Sequence, residues 1–386
     1  MPDPKSSALR NSAPPHAPPR LRVVGFRDSD DELGAFRVGP DCSIRVAMDR
    51  IDRNAKGIVL VTDDSGRLMG TITDGDVRRA ILARTDLEAP LRSLLERKQR
   101  VGNGGPIVGR AGMSRDEMAA LLNQHTIHQL PILDAADRVV DLVTLEDLLP
   151  DYAPPLEAVI MAGGFGTRLQ PLTNDTPKPM LPVGGRPLLE VAVSQLQRAG
   201  IRRVNVTTHY LPDKIVSHFG DGRRFGVELN YVNEESPLGT AGALQLLEPW
   251  STTLLVMNGD ILTDVNIRSL LSYHREHDAA FTVAVRQYEF RVPYGVVEGE
   301  EGMVRAIVEK PELSFFVNAG IYLIEPEVRE FISPGLRLDM PDLVRSLIDA
   351  GRRVANFPVR EYWLDIGRHT DYEQAQQDIR NGKVSA

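Results

Sequence analysis

Apolar residues recur in two different patterns along the 386 residues of this chain. Between about residues 36 and 149, short apolar runs follow one another as helix, strand, turn, strand and helix, and this order occurs twice. Strands are predicted at 57–61 and 130–133, and placing Thr73 on Thr144 aligns the two halves without a gap at an offset of 71 residues. The two halves differ at Asp141, which stands where the first half has Gly70. Self-similarity of this kind predicts two copies of one structural unit.

From residue 156 onward, predicted strands alternate with predicted helices. Strands are expected at 158–161, 204–208 and 254–257, and helices at 187–199 and 213–219. This alternation predicts an α/β unit with a mostly parallel sheet covered on both faces, and ligands in such sheets collect at the carboxyl ends of the strands. We therefore expect a disordered, proline-rich tail at 1–22, a repeated unit at 36–149, a linker at 150–155 and an α/β unit at 156–386.

Composition and charge narrow the classes of function. Apolar residues make up 42% and charged residues 25% of the chain, as in an ordinary globular protein. The formal net charge of −8 argues against nucleic acid and against an anionic membrane as partners. No apolar stretch approaches the ~20 residues that a membrane span needs. The single cysteine, Cys42, excludes an intramolecular disulfide and fits a reducing, cytoplasmic location.

The most informative segment is a glycine-rich turn that follows the strand predicted at 158–161. It reads GGFGTR over 163–168, and the sequence Pro177-Lys178-Pro179 follows it. A strand that opens into glycines presents backbone N–H groups to an anion, because glycine allows positive φ and close approach. Arg168 and Lys178 add two full positive charges. The turn lacks the ending of a P-loop and the spacing of a dinucleotide fingerprint, so a different phosphate site is predicted.

The whole string at 159–183, VIMAGGFGTRLQPLTNDTPKPMLPV, resembles the signature of sugar-1-phosphate nucleotidyltransferases, and the resemblance extends over about 156–367. It implies a Rossmann-like, mostly parallel mixed sheet of the GT-A-like type. It also implies that a sugar 1-phosphate attacks the α-phosphorus of a nucleoside triphosphate and expels pyrophosphate. The catalytic residues that it implies are Arg168, Lys178, Asp260, Lys310 and Asp365. The residues that it implies at the nucleotide are Ala162, Gly163, Gly164, Gly166, Thr167, Glu234, Gly239 and Thr240.

Two carboxylates are candidates for a metal site. Asp260 follows the strand predicted at 254–257 in the sequence NGD, and Asp365 lies in WLDIG after another short apolar run. The resemblance places the catalytic Mg²⁺ between these two motifs. Mg²⁺ suits a site with few protein oxygens, because phosphates and waters complete its octahedron. The alternative is that either aspartate caps a turn or a helix.

A further group of residues is implied on the sugar side. Glu309-Lys310-Pro311 lies between Gly295 and Asn318. In the family that the chain resembles, the glutamate binds sugar hydroxyls and the lysine binds the sugar phosphate. Asn318 would bind a hydroxyl, and Gly295 would let the backbone approach the ring. Without that context, a Glu-Lys pair is a common surface pair.

Glu234 is the residue that bears on the choice of base. It aligns with a position where pyrimidine-using relatives commonly carry glutamine. A carboxylate only accepts hydrogen bonds, whereas guanine presents two adjacent donors, N1–H and N2–H. Glu234 therefore favours GTP over UTP and dTTP. The alternative is that it is an exposed glutamate on a loop, next to Glu235.

The repeat at 36–149 resembles a tandem pair of cystathionine-β-synthase (CBS) domains, a family of adenosine- and guanosine-nucleotide sensors. The resemblance implies that Asp76 and Asp147 hold the ribose of a regulatory purine nucleotide. It also implies that Thr73 and Thr144 approach a phosphate. The alternative is structural, since Thr-x-x-Asp is also an N-capping motif.

Together these features predict a nucleotide-regulated guanylyltransferase. It would transfer GMP from GTP to glucosamine 1-phosphate, mannose 1-phosphate or a similar sugar phosphate, giving a GDP-sugar for surface glycans. A UTP- or dTTP-dependent transferase is one alternative. A non-catalytic sensor that only binds a nucleotide sugar is another, although the intact catalytic positions favour an enzyme. A homodimer or larger oligomer is expected, because CBS pairs often associate face to face.

Overall fold

A computed structural model of the chain describes residues 33–100, 105–125, 127–148 and 154–384. The predicted tail at 1–22 and residues 150–153 of the predicted linker lie outside these residues. The strands are β1 (Arg37–Val38), β2 (Ile58–Thr62), β3 (Leu68–Thr73), β4 (Gly109–Arg110), β5 (Gln129–Leu133), β6 (Val139–Thr144), β7 (Leu156–Met161), β8 (Pro182–Val183), β9 (Arg186–Pro187), β10 (Arg203–Thr208), β11 (Glu228–Asn233), β12 (Thr253–Asn258), β13 (Ile261–Thr263), β14 (Phe281–Arg291), β15 (Gly295–Glu300), β16 (Met303–Glu309), β17 (Glu312–Ile324), β18 (Val354–Pro358) and β19 (Trp363–Asp365). The α-helices are α1 (Ile44–Asn54), α2 (Asp74–Leu82), α3 (Leu91–Arg100), α4 (Arg115–Gln124), α5 (Leu145–Leu148), α6 (Leu188–Arg198), α7 (Pro212–Phe219), α8 (Gly239–Gly242), α9 (Ile267–Glu276), α10 (Met340–Asp349) and α11 (His369–Arg380).

The front part of the described chain, which we call the repeat unit (33–148), contains two small sheets of the same design. One has the strand order β1-β2-β3 and the other β4-β5-β6. β2 and β5 begin 71 residues apart, as do β3 and β6, so the predicted repeat is confirmed. Arg67 forms an isolated antiparallel bridge with Arg138, its counterpart in the repeat. The two halves therefore meet at equivalent positions, as an approximate two-fold axis requires.

Local sequence explains where the helices of the repeat unit begin. The Asp76 N–H donates to the Thr73 hydroxyl and the Thr73 N–H donates to the Asp76 carboxylate, which is a capping box at the start of α2. Ser114 and Glu117 form the same arrangement at the start of α4. Gly70 has a different role, because a Cβ at that position would lie 2.6 Å from the Leu95 side chain on α3.

The second part, which we call the sheet unit (154–384), is built on a seven-stranded sheet with the order β11-β10-β7-β12-β17-β14-β18. β17 pairs antiparallel with both of its neighbours, and the other pairings in this sheet are parallel. The strands predicted at 158–161, 204–208 and 254–257 correspond to β7, β10 and β12. The predicted α/β fold with a mostly parallel mixed sheet is confirmed.

Apolar side chains cover this sheet on both faces. On one face, helices α6, α7 and α9 contribute Leu196, Phe219 and Leu270 to the core. On the other face, α10 contributes Leu343 and Leu347, which are fully buried. Burying one such side chain contributes about 1.5–3 kcal/mol relative to leaving it exposed. The strand ends, and the loops that leave them, are therefore held on a scaffold that is packed from two sides.

Two further contacts between elements complete the fold. Ala375 and Ile379 of α11 pack with Leu169, Leu181 and Ile366, so this last described helix lies against the rest of the sheet unit. α2 of the repeat unit lies against α9 and β18 of the sheet unit. Among the residues that the structure describes, no helix is both long enough and apolar enough to span a membrane.

Candidate active site

The glycine-rich loop leaves the carboxyl end of β7, beside the carboxyl end of β12. The Ala162 N–H donates to the Thr207 carbonyl at 3.0 Å, which anchors the start of the loop. Gly166 has φ +64°, and a Cβ there would lie 2.9 Å from Thr173, so the turn requires glycine. A Cβ on Gly164 would meet no described atom within 4 Å. The loop is therefore a preformed turn, and part of it borders open space.

Lys178 and Asp260 form the centre of the site. Lys178 begins a short 3₁₀ helix after the loop, is 8% exposed, and donates from Nζ to Asp260 Oδ2 at 2.5 Å. Asp260 follows β12, where the Gly259 N–H donates to the Met161 carbonyl at 2.8 Å. That hydrogen bond joins the ends of β7 and β12. The ion pair thus connects the segment after the glycine loop to the end of the neighbouring strand.

Asp365 reaches the same place through a short strand pairing. β13 and β19 pair antiparallel with Ile261 opposite Asp365, and the Ile366 N–H donates to the Asp260 carbonyl at 3.0 Å. Partial desolvation and the negative charge of Asp260 raise the pKa of Asp365, while nearby positive charges oppose this rise. The two aspartates, although far apart in sequence, therefore interact electrostatically.

The two carboxylates fit a divalent cation. Asp260 Oδ1 is buried and has no hydrogen-bond partner among the residues that the structure describes. A buried carboxylate oxygen without a partner is costly, and a bound cation would remove that cost. Within the described ranges, no group of three or more His, Cys, Asp or Glu side chains could hold a metal ion. Two carboxylates suit Mg²⁺, which completes its octahedron with phosphates and waters.

Arg168 lies beside Asp365, at the outer side of the site. Arg168 is exposed, and its Nη1 would lie 3.5 Å from a Cβ placed on Gly367. Its charge is one of those that oppose the desolvation-driven rise in the pKa of Asp365. Arg168 and Lys178 therefore supply two local positive charges in a chain whose formal net charge is −8. A polyphosphate could be bound at this point without a positive field over the whole protein.

Glu234 lies against the glycine loop and is 7% exposed. Its Oε2 accepts from the Leu238 N–H at 3.1 Å, and its Oε1 lies 2.8 Å from the place where a Cβ on Gly163 would stand. The His209 Nδ1 is 2.7 Å from the Glu234 carbonyl oxygen. The exposed glutamate of this loop is therefore Glu235 and not Glu234. The carboxylate is held between the loop at 163–168 and the loop at 237–242.

Gly239 and Thr240 are held by the segment that leads into α10. Gly239 has φ +80°, and a Cβ there would lie 2.6 Å from the Leu338 carbonyl oxygen. The Thr240 N–H donates to Asp339 Oδ1 at 3.1 Å, and the Met340 N–H donates to the Thr240 hydroxyl at 2.9 Å. Sequence reasoning missed Asp339. The signal for it is an aspartate placed directly before a helix.

The residues implied on the sugar side are divided between two places. Gly295 stands opposite Glu309 in the β15–β16 hairpin, and a Cβ on Gly295 would lie 2.9 Å from the Glu309 carboxylate. Lys310 follows with φ +46°, and its Nζ lies 3.9 Å from Glu309. Both charged side chains are exposed. Among the described residues, no hydrogen bond or ion pair joins Lys310 to Asp260 or Asp365.

Asn318 lies on β17, apart from that hairpin. Its Nδ2 donates to the Tyr322 hydroxyl at 2.8 Å, and its Oδ1 accepts from the Gly320 N–H at 2.9 Å. The amide is therefore fixed in orientation by two protein contacts. One lone pair of Oδ1 and one hydrogen of Nδ2 are left for a ligand.

The segment after Asn318 contacts the residues that stand two positions before each of the two aspartates. A Cβ on Gly320 would lie 2.6 Å from the Asn258 amide, and the Trp363 Nε1 donates to the Ala319 carbonyl at 2.8 Å. Asn258 Oδ1 is also buried and lacks a hydrogen-bond partner in the described part of the chain. Sequence reasoning missed this amide as a candidate, although the NGD motif that contains Asp260 begins with it.

Comparison with known proteins identifies the family of this chain. The model of the nucleotidyl transferase family matches residues 157–382, which is more than half of the chain. The chain belongs to the nucleotidyl transferase family. A CBS domain model matches residues 35–83, the first half of the repeat unit. The resemblance to sugar-1-phosphate nucleotidyltransferases with a CBS unit is thereby confirmed.

Individual relatives differ in the nucleotide that their names give. A UTP–glucose-1-phosphate uridylyltransferase of Synechocystis is 33% identical over an alignment of 250 residues, and the match covers 59% of this chain and 64% of that protein. A mannose-1-phosphate guanylyltransferase of Mycobacterium tuberculosis is 35% identical over 234 residues, 59% of this chain and 65% of that protein. The chain thus spans a little under two thirds of these curated relatives. The solved structure of HddC from Yersinia pseudotuberculosis with GMP-PN is 25% identical over 58% of this chain and 99% of that one, but its TM-score of 0.46 adds no weight.

In the repeat unit (33–148), called the CBS unit from here on, the implied regulatory residues fall into two groups. Thr73 and Thr144 line one cavity between the two halves. The Asp76 carboxylate closes the capping box with Thr73 and accepts from Lys98 Nζ at 2.7 Å. The Asp147 carboxylate accepts from the Thr144 hydroxyl at 2.7 Å. Both aspartates therefore have capping roles, and their contact with a ribose stays a prediction.

The sheet unit (154–384), called the transferase unit from here on, supplies a third wall of this cavity. The two halves of the repeat contribute Lys56 and His128, and helix α9 contributes Ser269, Tyr273 and Glu276. Desolvation and the charges of neighbouring arginines lower the pKa of His128. A ligand in this cavity would touch the CBS unit and the transferase unit together.

Proposed function

We propose that this protein transfers GMP from GTP to a sugar 1-phosphate and releases pyrophosphate. One observation carries the proposal: segments that are far apart in sequence bring Arg168, Lys178, Asp260 and Asp365 to one point beside the glycine loop. Glucosamine 1-phosphate and mannose 1-phosphate are the acceptors that we favour. The product would then be a GDP-sugar for surface glycans.

The proposed reaction needs charge neutralisation and alignment more than it needs a general base. The attacking sugar phosphate is already an oxyanion near neutral pH, because a phosphate monoester has a second pKa of about 6. Lys178 and Arg168 would reduce the repulsion between the two anions, while loop N–H groups would hold the phosphates in line. Mg²⁺, held by Asp260 and Asp365, would stabilise the charge that develops on the phosphate oxygens.

The choice of GTP is supported by the burial of Glu234. A buried carboxylate that faces a base must accept hydrogen bonds from it, and guanine offers two donors side by side. The carbonyl lone pairs of uracil and thymine would instead face the carboxylate oxygens. Glu234 also accepts from the Leu238 N–H, so it shapes the loop in addition to any contact with a base.

The test is pyrophosphate release across four nucleoside triphosphates and a panel of sugar 1-phosphates. Pyrophosphatase and malachite green measure the release, and mass spectrometry of the product shows which nucleotide sugar is made. Turnover that is fastest with GTP is expected. A preference for UTP or dTTP would contradict the assignment of the base. If no combination of triphosphate and sugar 1-phosphate releases pyrophosphate, the non-catalytic sensor is favoured.

We also propose that a purine nucleotide occupies the cavity of the CBS unit and changes the rate. The wall contributed by α9 supports this, because a ligand there contacts both units. Calorimetry of the full chain with AMP and GMP, paired with rates at fixed substrate, tests it, and Thr144→Ala should remove the response. Flat titrations, or binding without any effect on the rate, would contradict regulation.

The expected homodimer stays a prediction that analytical ultracentrifugation can check.

A further inference from the structure

An arginine of the CBS unit is inserted into the transferase unit. Arg78 on α2 is 1% exposed, and its guanidinium carbon lies 3.9 Å from the centre of the Phe357 ring. Its Nε donates to Asp74 Oδ2 at 2.5 Å, and its Nη1 donates to the Pro358 carbonyl. Its Nη2 donates to Glu361 Oε1 at 2.7 Å. Buried ion pairs give little net stability, so an arginine buried among these partners calls for another explanation.

Arg78 is the main cation beside Glu361. Burial is the largest single influence on the pKa of Glu361 and would raise it, but the charge and hydrogen bond of Arg78, a backbone hydrogen bond and the charge of Arg360 together hold the pKa below its usual value. Glu361 Oε1 also accepts from the Asn266 N–H at 3.3 Å, at the start of α9. Without Arg78, this partly buried carboxylate would lose its main cation, so the segment around Glu361 would have to move toward water or take up a proton.

Glu361 anchors the segment that ends at Asp365. The Tyr362 carbonyl accepts from the Thr263 hydroxyl at 2.7 Å, and the Trp363 indole donates to a carbonyl of β17 at 2.8 Å. β19 itself has three residues and pairs only with β13 among the described strands. A strand this short has few ladder hydrogen bonds to set its position. The contacts directly before it, including the one between Glu361 and Arg78, therefore help to decide where Asp365 lies.

The other end of this series of contacts reaches the cavity of the CBS unit. Asp74 is one of the residues that line that cavity. Its Oδ2 accepts from Arg78, and its Oδ1 lies 3.4 Å from Arg360 Nη1, next to Glu361 in sequence. A ligand that contacts Asp74 would therefore act directly on the two arginines that hold this segment.

We propose that Arg78 is a positioning residue for Asp365 and that it connects the CBS cavity to the metal site. By holding Glu361, it fixes β19 so that the Asp365 carboxylate stays beside Asp260. The inference rests on the proposed function for its catalytic consequence. It makes the CBS unit a part of the structure that shapes the metal site.

Arg78→Met and Glu361→Gln test this in the full chain, and Arg79→Met is the matched control. Arg79 is the next residue of α2 and also makes an ion pair between the units, to Glu276 at 2.8 Å, but that pair does not lead to β19. Binding of Mn²⁺ alone is followed by electron paramagnetic resonance of the free ion. Turnover with GTP gives kcat and KM, and circular dichroism on heating shows whether each variant folds.

We expect Arg78→Met and Glu361→Gln to weaken Mn²⁺ binding and to lower kcat by about ten-fold, as when a support of a metal ligand is removed. KM for GTP should stay near the wild-type value, and Arg79→Met should keep wild-type Mn²⁺ binding. Arg78→Lys retains a charge against Glu361 and should recover part of the affinity. If Arg78→Met does not fold, the nearly isosteric Glu361→Gln carries the comparison.

Unchanged Mn²⁺ affinity in the folded variants overturns the proposal, and so does an equal loss in Arg79→Met. A lower melting temperature with wild-type Mn²⁺ affinity would show that Arg78 is only structural, which also overturns it. Failure of the proposed function gives a different result. The wild type would then bind Mn²⁺ but release no pyrophosphate with any triphosphate, and the Mn²⁺ comparison between variants would still decide the role of Arg78.

Discussion

Replacing Glu234 by glutamine isolates the group that we assign to the base. The substitution keeps the shape of the side chain and exchanges one acceptor oxygen for an NH₂ donor. The amide oxygen can take over the hydrogen bond from the Leu238 N–H, which Glu234 Oε2 accepts at 3.1 Å. The loop at 237–242 should then keep its conformation. The change is then confined to the position of Oε1, which lies against Gly163.

The size of the effect follows from the two donors of guanine. A carboxylate can accept from N1–H and N2–H together, whereas a glutamine amide would leave one of them facing an NH₂ group. A buried donor without a partner costs about 1–3 kcal/mol. The kcat/KM for GTP should therefore fall by about 5-fold to 150-fold. UTP should lose less or gain, because uracil offers one donor and one acceptor to the amide.

The assay is kcat/KM for GTP, UTP and dTTP, measured by pyrophosphate release in the wild type, Glu234→Gln and Glu235→Gln. Glu235 is the matched control, since it is the neighbouring glutamate and is exposed. The Glu235→Gln substitution should leave the ranking of kcat/KM for the three triphosphates unchanged. The reasoning is refuted if the wild type prefers UTP or dTTP, or if Glu234→Gln keeps the wild-type preference. The family assignment would stand in either case.

Three further predictions concern the metal, the two lysines and the loop glycines. Asp365→Asn should keep the fold by circular dichroism but lower kcat by more than ~100-fold, because it removes charge from the metal site; more than a tenth of the wild-type rate at saturating Mg²⁺ would show that this carboxylate is not a ligand. Lys178→Ala should mainly lower kcat and Lys310→Ala should mainly raise KM for the sugar phosphate, so identical kinetic profiles would contradict the division of roles. Gly239→Ala should lower the free energy of unfolding in urea by about 1–3 kcal/mol more than Gly335→Ala. Both glycines have positive φ, but only a Cβ on Gly239 would meet a backbone atom, at 2.6 Å, and equal losses would show that the loop adjusts.

Glu234 and Asp76 each have two roles between which the sequence alone does not decide. At Glu234 the structure excludes an exposed side chain, because the residue is 7% exposed and Glu235 is the exposed one, but contact with a base remains a prediction. At Asp76 it supplies the atoms of the capping box, so the structural role is present and the ribose role remains a prediction. Burial and the choice of partner depend on distant segments, which short-range patterns do not describe.

Local chemistry is what the sequence by itself determined. The repeat at an offset of 71 residues, the alternation that predicts a mostly parallel sheet, and the glycine turn with Arg168 and Lys178 all depend on neighbouring residues and regular spacing. The fold class followed from them because hydrophobic periodicity sets the element type, and alternating elements set the sheet. The family motifs around Asp260 and Asp365 belong to the same local level.

The tertiary structure alone decided which of these residues meet. The pairing of β13 with β19 brings Asp365 to Asp260, and the packing of α2 on α9 and β18 buries Arg78 against Glu361. No local pattern in the sequence signals either contact, because each joins residues about a hundred or more positions apart through backbone pairing or packing. Only the family resemblance implied that Asp260 and Asp365 share a site, and nothing implied the contact of Arg78 with Glu361. An arginine on a helix of polar composition is usually exposed, and only the docking of the CBS unit on the transferase unit makes this one buried.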